Sequence, residues 1–203
     1  MFCFVAAAPV EQAIGLVTRL ELETQASREA VERAWSELQQ PPVDRDRYLA
    51  MLRATFGIVS PLECACRYTR GLDRYLDSRE LTRAGLLAQD LLALDLTAVD
   101  VANVPLCLSI TPFLDVPEAL GWVYASARTA AFQAPVLPLL SGRVRVHAAC
   151  YLEAIDGWVA RRWSGFAMLV EQMGTDPVAA RSLVAGATAG FACLADWIAT
   201  IEG

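Results

Sequence analysis

The sequence predicts an all-α protein that folds as a single domain over residues 1–203. Its length suits one domain, or at most two small ones. Hydrophobic residues make up 55% and charged residues 20%, so the chain can bury a large core and is not a disordered tail or linker. Apolar residues recur at helical spacing, and the sequence contains neither a β-hairpin signal nor an internal repeat. We therefore expect roughly six to eight helices around one core.

The first predicted helix covers residues 10–38, where the apolar positions form one stripe along the helix. We expect an interruption at residues 24–27, which break this stripe. The consecutive prolines Pro41 and Pro42 end the helix, because proline lacks the backbone N–H that a helix interior requires.

The second predicted helix follows Asp44 and Asp46, whose carboxylates can cap its N-terminus, and it runs through Phe56. Gly57 and Pro61 fall inside the same apolar pattern. Both residues disfavour a helix interior, so we expect a kink or a break there.

The rest of the chain alternates between helices and breaks. Residues 71–78 are expected to form a loop, and the three prolines in residues 95–117 predict an irregular segment. Pro135 and Pro138 predict a second break. Helices are expected at residues 81–94, 118–132, 145–173 and 177–201.

The charge balance excludes several classes of function. The chain has 17 basic and 23 acidic residues and a net charge of −6. Without a basic surplus, we expect no nucleic-acid binding through phosphate neutralisation. All 17 basic residues are arginine, so a Schiff-base or other lysine mechanism is excluded.

Cysteine usage and hydropathy predict a cytoplasmic location. The six cysteines match no zinc or disulfide framework, and we interpret them as small buried apolar residues in a reducing compartment. The apolar start has no basic region, and Glu11 follows it directly, so a signal peptide is not expected. The most apolar later stretch, residues 182–195, is shorter than the roughly 20 residues of a spanning helix, so no membrane association is expected.

Few residues carry recognisable chemistry. His147 is the only histidine, which excludes metal sites built from several histidines, and we expect it to be exposed or hydrogen-bonded at a helix flank. No phosphate-binding glycine loop or hydrolase serine motif occurs. Four residues at helical spacing are expected in the core rather than in contact with a cofactor: Trp158, Trp163, Phe166 and Met168. We interpret a group of glutamates as a solvated helix face with arginine partners: Glu21, Glu23, Glu29, Glu32 and Glu37.

Five short segments occur in an order that matches one family over most of the chain. They are Leu20, Thr24, Arg28 and Glu32; Tyr48 to Leu52 with Phe56 and Pro61-Leu62-Glu63; Leu86, Leu87, Asp90, Leu91 and Leu94; Ala119-Leu120-Gly121-Trp122-Val123-Tyr124; and Trp163 with Phe166. In these segments the chain resembles the bacterial biliverdin-producing haem oxygenases, as a divergent member. The resemblance implies a haem-oxygenase-like helical fold. By family position, its ligand pocket would include Thr24, Arg28, Glu32, Tyr124, Arg128 and Phe132.

The first departure from the family concerns the iron ligand. At the position of Arg28 the family has a histidine, whose imidazole nitrogen ligates the haem iron. A guanidinium is permanently charged and has no lone pair to offer, so Arg28 cannot replace that bond.

The second departure lies in the distal helix. There the family has two glycines four residues apart, which let the backbone approach the haem face and leave room for oxygen. Arg128 and Phe132 occupy those positions and project from one face of the predicted helix. If that face lines the family's cavity, their side chains fill the space of haem and oxygen. Buried arginines need partners, and Glu32, Glu63, Asp90 or two haem propionates could serve.

These departures lead to a first hypothesis of a haem-oxygenase-like protein with a degenerate site, which does not cleave haem. It would bind an open-chain tetrapyrrole, another small ligand or a protein partner, and no cofactor is expected. An alternative is an active monooxygenase that converts haem to biliverdin, carbon monoxide and iron. That enzyme would need haem, an electron donor and a different axial ligand, such as His147, a cysteine or a tyrosine.

A third hypothesis is an unrelated helical enzyme or scaffold. A thiaminase-type fold is one example, and it would need a cysteine nucleophile near carboxylates. The apolar residues 1–5 either pack onto the chain's own core or contact a protein partner, which includes a second copy in a homodimer.

Overall fold

The computed structural model describes residues 14–38, 40–41, 43–77, 82–140 and 142–202. The predicted all-α architecture is confirmed, and this part of the chain contains nine α-helices, two of them very short. They are α1 Leu16–Glu23, α2 Gln25–Leu38, α3 Arg45–Tyr68, α4 Ala84–Ala93, α5 Ala98–Ala102, α6 Val116–Gln133, α7 Gly142–His147, α8 Cys150–Met173 and α9 Pro177–Glu202. Two 3₁₀ segments, Leu72–Arg74 and Ala134–Leu139, join helices. The expected contact of residues 1–5 lies outside the described residues.

The helices α6 and α9 form the central pair, and they approach so closely that their backbones are in contact. A Cβ added at Gly121 would lie 2.2 Å from the Leu183 carbonyl oxygen and 2.5 Å from the Ala187 nitrogen. A Cβ at Gly186 would lie 2.4 Å from the Glu118 carbonyl oxygen. Glycine at these two positions therefore sets the distance between the helices.

The other helices pack around this pair. The helix α2 contacts both α9 and α6, while α1 packs against α8 and α9, and α3 packs against α4. Large apolar and aromatic side chains fill the interior, and the largest fully buried ones are Trp35, Tyr48, Tyr124, Tyr151 and Phe191. Burial of such side chains stabilises the fold by about 1.5–3 kcal/mol each.

The interruption expected at residues 24–27 is confirmed at its first residue. Thr24 separates α1 from α2, and its buried hydroxyl donates a 2.7 Å hydrogen bond to the Leu20 carbonyl. The predicted N-cap of the next helix is also confirmed, because the Arg47 N–H donates to the Asp44 carboxylate at 2.9 Å. Asp46 lies in the first turn of α3, where its charge favours the helix.

A kink or a break was expected at Gly57 and Pro61, and the break is wrong, since α3 runs without interruption through both residues. Pro61 cannot donate the N–H that would bond the carbonyl of Gly57, four residues earlier. That carbonyl instead accepts a 2.8 Å hydrogen bond from the Cys107 N–H, in the segment between α5 and α6. A contact distant in sequence thus satisfies the polar group that proline leaves free.

Two other boundaries differ from the expectation. The helix predicted over residues 145–173 is two helices, α7 and α8, separated at residues 148–149. Asp90 stabilises the separate start of α8, because its carboxylate accepts the N–H groups of Cys150 at 3.0 Å and Tyr151 at 2.9 Å. The segment predicted as irregular, residues 95–117, contains the short helix α5, which begins with a capping box between Thr97 and Asp100.

The expectation that no segment is long enough to span a membrane needs correction. Two helical segments, Arg45–Tyr68 and Pro177–Thr200, are long and apolar enough by length and composition, with mean hydropathies of 1.3 and 1.5. In their most apolar windows 56% and 44% of the residues are buried inside the protein, and the core helices of soluble proteins pass the same test. These segments are weak evidence for a membrane, and the cytoplasmic location stays a prediction.

The interpretation of every cysteine as a buried apolar residue is also wrong in part. Cys66 and Cys107 are buried, whereas Cys64 is exposed and Cys150 and Cys193 are partly exposed. Cys64 and Cys66, two residues apart on one helix, point to different environments, as helical geometry requires.

Candidate functional site

Glu21 connects three helices at the junction of α1, α2 and α6. One of its carboxylate oxygens accepts a 2.9 Å hydrogen bond from the Tyr124 hydroxyl. The other accepts from the Arg28 guanidinium at 3.0 Å and from the Arg128 guanidinium at 3.4 Å. We call these four residues the Glu21 cluster.

Local helix geometry brings the cluster together. Tyr124 and Arg128 are four residues apart on α6 and share one face of that helix. Glu21 lies in the last turn of α1 and Arg28 in the first turn of α2, on either side of the break at Thr24. Thr24 itself is fully buried, and its hydroxyl bonds back to the last turns of α1.

An aromatic wall lies behind the cluster. The Arg128 guanidinium carbon is 5.5 Å from the centre of the Trp163 ring, within the range of a cation–π interaction. The Tyr124 ring lies 6.0 Å from that of Trp163 and 6.2 Å, edge-on, from that of Phe191. Trp163 and Phe166 lie in or against the core as predicted, whereas Met168 is exposed and its expected burial is wrong. Trp163 also contacts a charged group, which the sequence did not predict.

The cluster is partly shielded from water. The side chains of Arg28, Arg128 and Glu21 are 20%, 29% and 31% exposed, so their charges are screened less than on an open surface. Burial raises the pKa of Tyr124 well above its ordinary value, and the hydrogen bond to Glu21 adds to the effect. Tyr124 therefore stays protonated at neutral pH and acts as a donor.

The partners expected for the two arginines are only partly correct. Glu32 lies 4.0 Å from the Arg28 Nε atom, at the limit of an ion pair. Glu63 instead accepts the backbone N–H groups of Arg83 and, at 2.8 Å, of Ala84 at the start of α4. Asp90 caps α8, as described above, and neither Glu63 nor Asp90 pairs with Arg28 or Arg128.

Glu21 is the site residue that the sequence reasoning missed. It was grouped with neighbouring glutamates as a solvated face, whereas its carboxylate is the centre of the cluster. Its spacing of seven residues before Arg28, two helical turns, was an available signal. Its contacts with α6 are more than 100 residues away in sequence, and no local pattern reports them.

The cluster does not fit haem. An axial ligand needs a free lone pair, and the guanidiniums of Arg28 and Arg128 have none to offer. The Tyr124 hydroxyl stays protonated and donates a hydrogen bond to Glu21. Side chains of α6 also bond to Glu21 of α1, which in turn binds Arg28 of α2. These hydrogen bonds join the three helices at this point.

The remaining predicted site residues lie at the margin of the cluster or away from it. Phe132 is partly buried against the core, one helical turn beyond Arg128. His147, the alternative axial ligand, is exposed at the last residue of α7. Within the described ranges, no group of three or more histidine, cysteine, aspartate or glutamate side chains could hold a metal ion.

No protein-family model matches this chain. No curated protein is significantly similar to it in sequence.

Proposed function

We propose that this chain is a haem-oxygenase-like helical protein in which the Glu21 cluster takes the place of the haem site. It acts as a binding or regulatory protein and does not cleave haem. The observation that carries this proposal is the set of three hydrogen bonds that Glu21 accepts from Arg28, Tyr124 and Arg128.

The positions of these residues support the proposed relation to the family. Family position places Arg28 on the proximal side of the haem and Tyr124 and Arg128 on the distal side. In this chain the two sides meet through Glu21. A gap wide enough for a flat macrocycle would separate them and leave the buried parts of the two arginines without their counter-charge.

For the active-enzyme alternative, neither His147 nor Tyr124 is suited to ligate iron at the cluster. The exposed His147 is in none of the cluster's contacts, and the raised pKa of Tyr124 opposes the phenolate that iron would require. Haem propionates could attract arginines, but both cluster guanidiniums already bind Glu21. We therefore place the non-catalytic function first.

The thiaminase-type alternative needs a reactive cysteine near a carboxylate. Cys66 and Glu63 line a pocket of about 380 Å³ near the end of α3. Burial raises the pKa of Cys66 to about 12, and the nearby Glu63 charge adds to this shift. The thiol is protonated at neutral pH, which is unfavourable for a nucleophile.

We also propose what this protein binds, since a protein without enzymatic activity would act through a partner. It is a small tetrapyrrole-like ligand, another protein or a second copy of the chain, in the cytoplasm. Two leucines before α6 support a protein contact, because Leu108 and Leu114 are 85% and 95% exposed.

An oxygen-dependent turnover assay tests the proposed loss of catalysis. The purified protein is mixed with haem, a reductant such as ascorbate, and catalase, which removes peroxide that would degrade haem without an enzyme. We expect haem to disappear no faster than in a protein-free mixture, with no verdin absorption. Verdin formation that depends on the protein and is accompanied by carbon monoxide would overturn the proposal.

A further inference from the structure

A pocket of about 300 Å³ lies between the start of α4 and one face of α8. It shares no residue with the Glu21 cluster. Its polar lining includes the guanidiniums of Arg83, Arg161 and Arg162, and its wall includes Trp158. We call this feature the arginine pocket. Among the described residues that line it there is no carboxylate, although the whole chain carries a net charge of −6.

Arg83 is the deepest of the three arginines. It is 7% exposed, and its guanidinium carbon lies 4.7 Å from the centre of the Trp158 ring. Within the described part of the chain, no carboxylate forms an ion pair with this guanidinium; the nearby Glu63 binds the Arg83 backbone instead. Burial lowers the pKa of Arg83, because it takes the cation out of water, and the nearby Glu63 charge opposes this shift only in part.

Trp158 forms part of the pocket wall. Its indole nitrogen is buried and has no hydrogen-bond partner among the described residues. Thr82 adds a hydroxyl to the same lining, and Leu86 and Ala154 add an apolar surface.

The arrangement of charges selects the kind of ligand. Arg161 and Arg162 are exposed, while Arg83 is buried. The Arg161 guanidinium lies across the backbone of Gly157, where a Cβ would come within 2.7 Å of it. The guanidiniums of Arg83 and Arg161 match a phosphate better than a carboxylate, because each guanidinium can bind two oxygens and a phosphate offers more oxygens and more negative charge than a carboxylate.

We propose that the arginine pocket binds the phosphate group of a small phosphorylated organic molecule, whose body contacts Leu86 and Ala154. The phosphate oxygens accept hydrogen bonds from Arg83 and Arg161. This inference does not rest on the proposed function, because the pocket shares no residue with the Glu21 cluster.

Isothermal titration calorimetry with phenyl phosphate tests the proposal, at constant ionic strength so that screening does not change. We expect saturable one-to-one binding by the wild-type protein. Inorganic phosphate should bind more weakly, because it lacks the apolar body; equal affinity for the two anions would overturn the assignment of an organic ligand. Substitution of an exposed arginine avoids the loss of folding that removal of the buried Arg83 risks.

The matched variants are Arg161→Ala and Arg181→Ala, which each remove one exposed arginine from a long helix. Arg181 lies on α9 and does not line the pocket. We expect Arg161→Ala to weaken phenyl phosphate binding about tenfold, as the loss of a charge-assisted hydrogen bond predicts, and Arg181→Ala to leave it unchanged. Equal affinities in these two variants, or binding that does not saturate in the wild type, would refute the site.

Trp158→Phe supplies a second readout. Ligand next to the indole changes the fluorescence of Trp158, so the difference spectrum seen on titration of the wild type should be lost in this variant. An unchanged difference spectrum in Trp158→Phe would place the anion elsewhere and overturn the proposal.

Discussion

At the scale of single residues, the three donors to Glu21 come from two helices and include both arginines that depart from the family pattern. Sequence reasoning predicted that Arg28 and Arg128 need carboxylate partners and that Tyr124 belongs to the same site. It did not identify Glu21, because a glutamate among other glutamates on a polar helix face carries no local signal of a contact with a distant helix.

Removal of the Glu21 carboxylate is expected to destabilise the protein. In Glu21→Ala the two guanidiniums and the Tyr124 hydroxyl lose their common acceptor, at a cost of about 1–3 kcal/mol. The control is Glu23→Ala, which removes the exposed pair with Arg19 and should cost less than about 1 kcal/mol. Urea denaturation measures both. Equal, small losses would show that the cluster does not hold the helices together.

Asp90 gives a pH-dependent prediction. Burial raises its pKa above the ordinary value of 3.8, so the folded protein keeps this proton over a pH range in which the unfolded chain has released it. The contribution of Asp90 to the free energy of unfolding therefore falls as the pH rises above 3.8. Asp90→Asn cannot titrate, and the stability advantage of the wild type over this variant should shrink over that range. Denaturation of both proteins at several pH values tests this, and a constant or growing difference would contradict it.

At the scale of helices, most elements follow from local pattern, and the errors arise where distant contacts intervene. The Asp44 cap and the break at Thr24 are local, and both were predicted. The continuity of α3 through Pro61 depends on the Cys107 N–H, which reaches the Gly57 carbonyl from another segment. The sequence of α3 alone does not predict that hydrogen bond.

The close approach of α6 and α9 predicts a strong effect of one added methyl group. In Gly121→Ala the new Cβ would meet backbone atoms of α9, which cannot rotate away, so the helices must separate. We expect a loss of at least about 2 kcal/mol. Gly165→Ala is the matched control, because nothing lies within 4 Å of its Cβ and alanine favours a helix by about 1 kcal/mol over glycine. Thermal or urea unfolding should therefore move in opposite directions in the two variants.

At the scale of the whole molecule, hydrophobic periodicity was sufficient for the all-α architecture, because an amphipathic stripe reports which face of a helix is buried. The same periodicity did not reveal the arginine pocket, since that pocket forms where α4 meets α8, and Arg83 is far in sequence from Arg161 and Arg162. The proposed relation to haem oxygenases rests on residue order together with the meeting of Arg28, Tyr124 and Arg128 at Glu21.

A haem titration of the purified wild-type protein, followed in the Soret region, tests the central proposal most directly. The Glu21 cluster offers no iron ligand, and its hydrogen bonds join α2 to α6 where haem would bind. The account therefore predicts no saturable one-to-one binding of haem and no axial-ligand spectrum. Saturable one-to-one binding with the spectrum of a ligated iron would contradict the account, because haem could then enter only by displacing the contacts of Glu21.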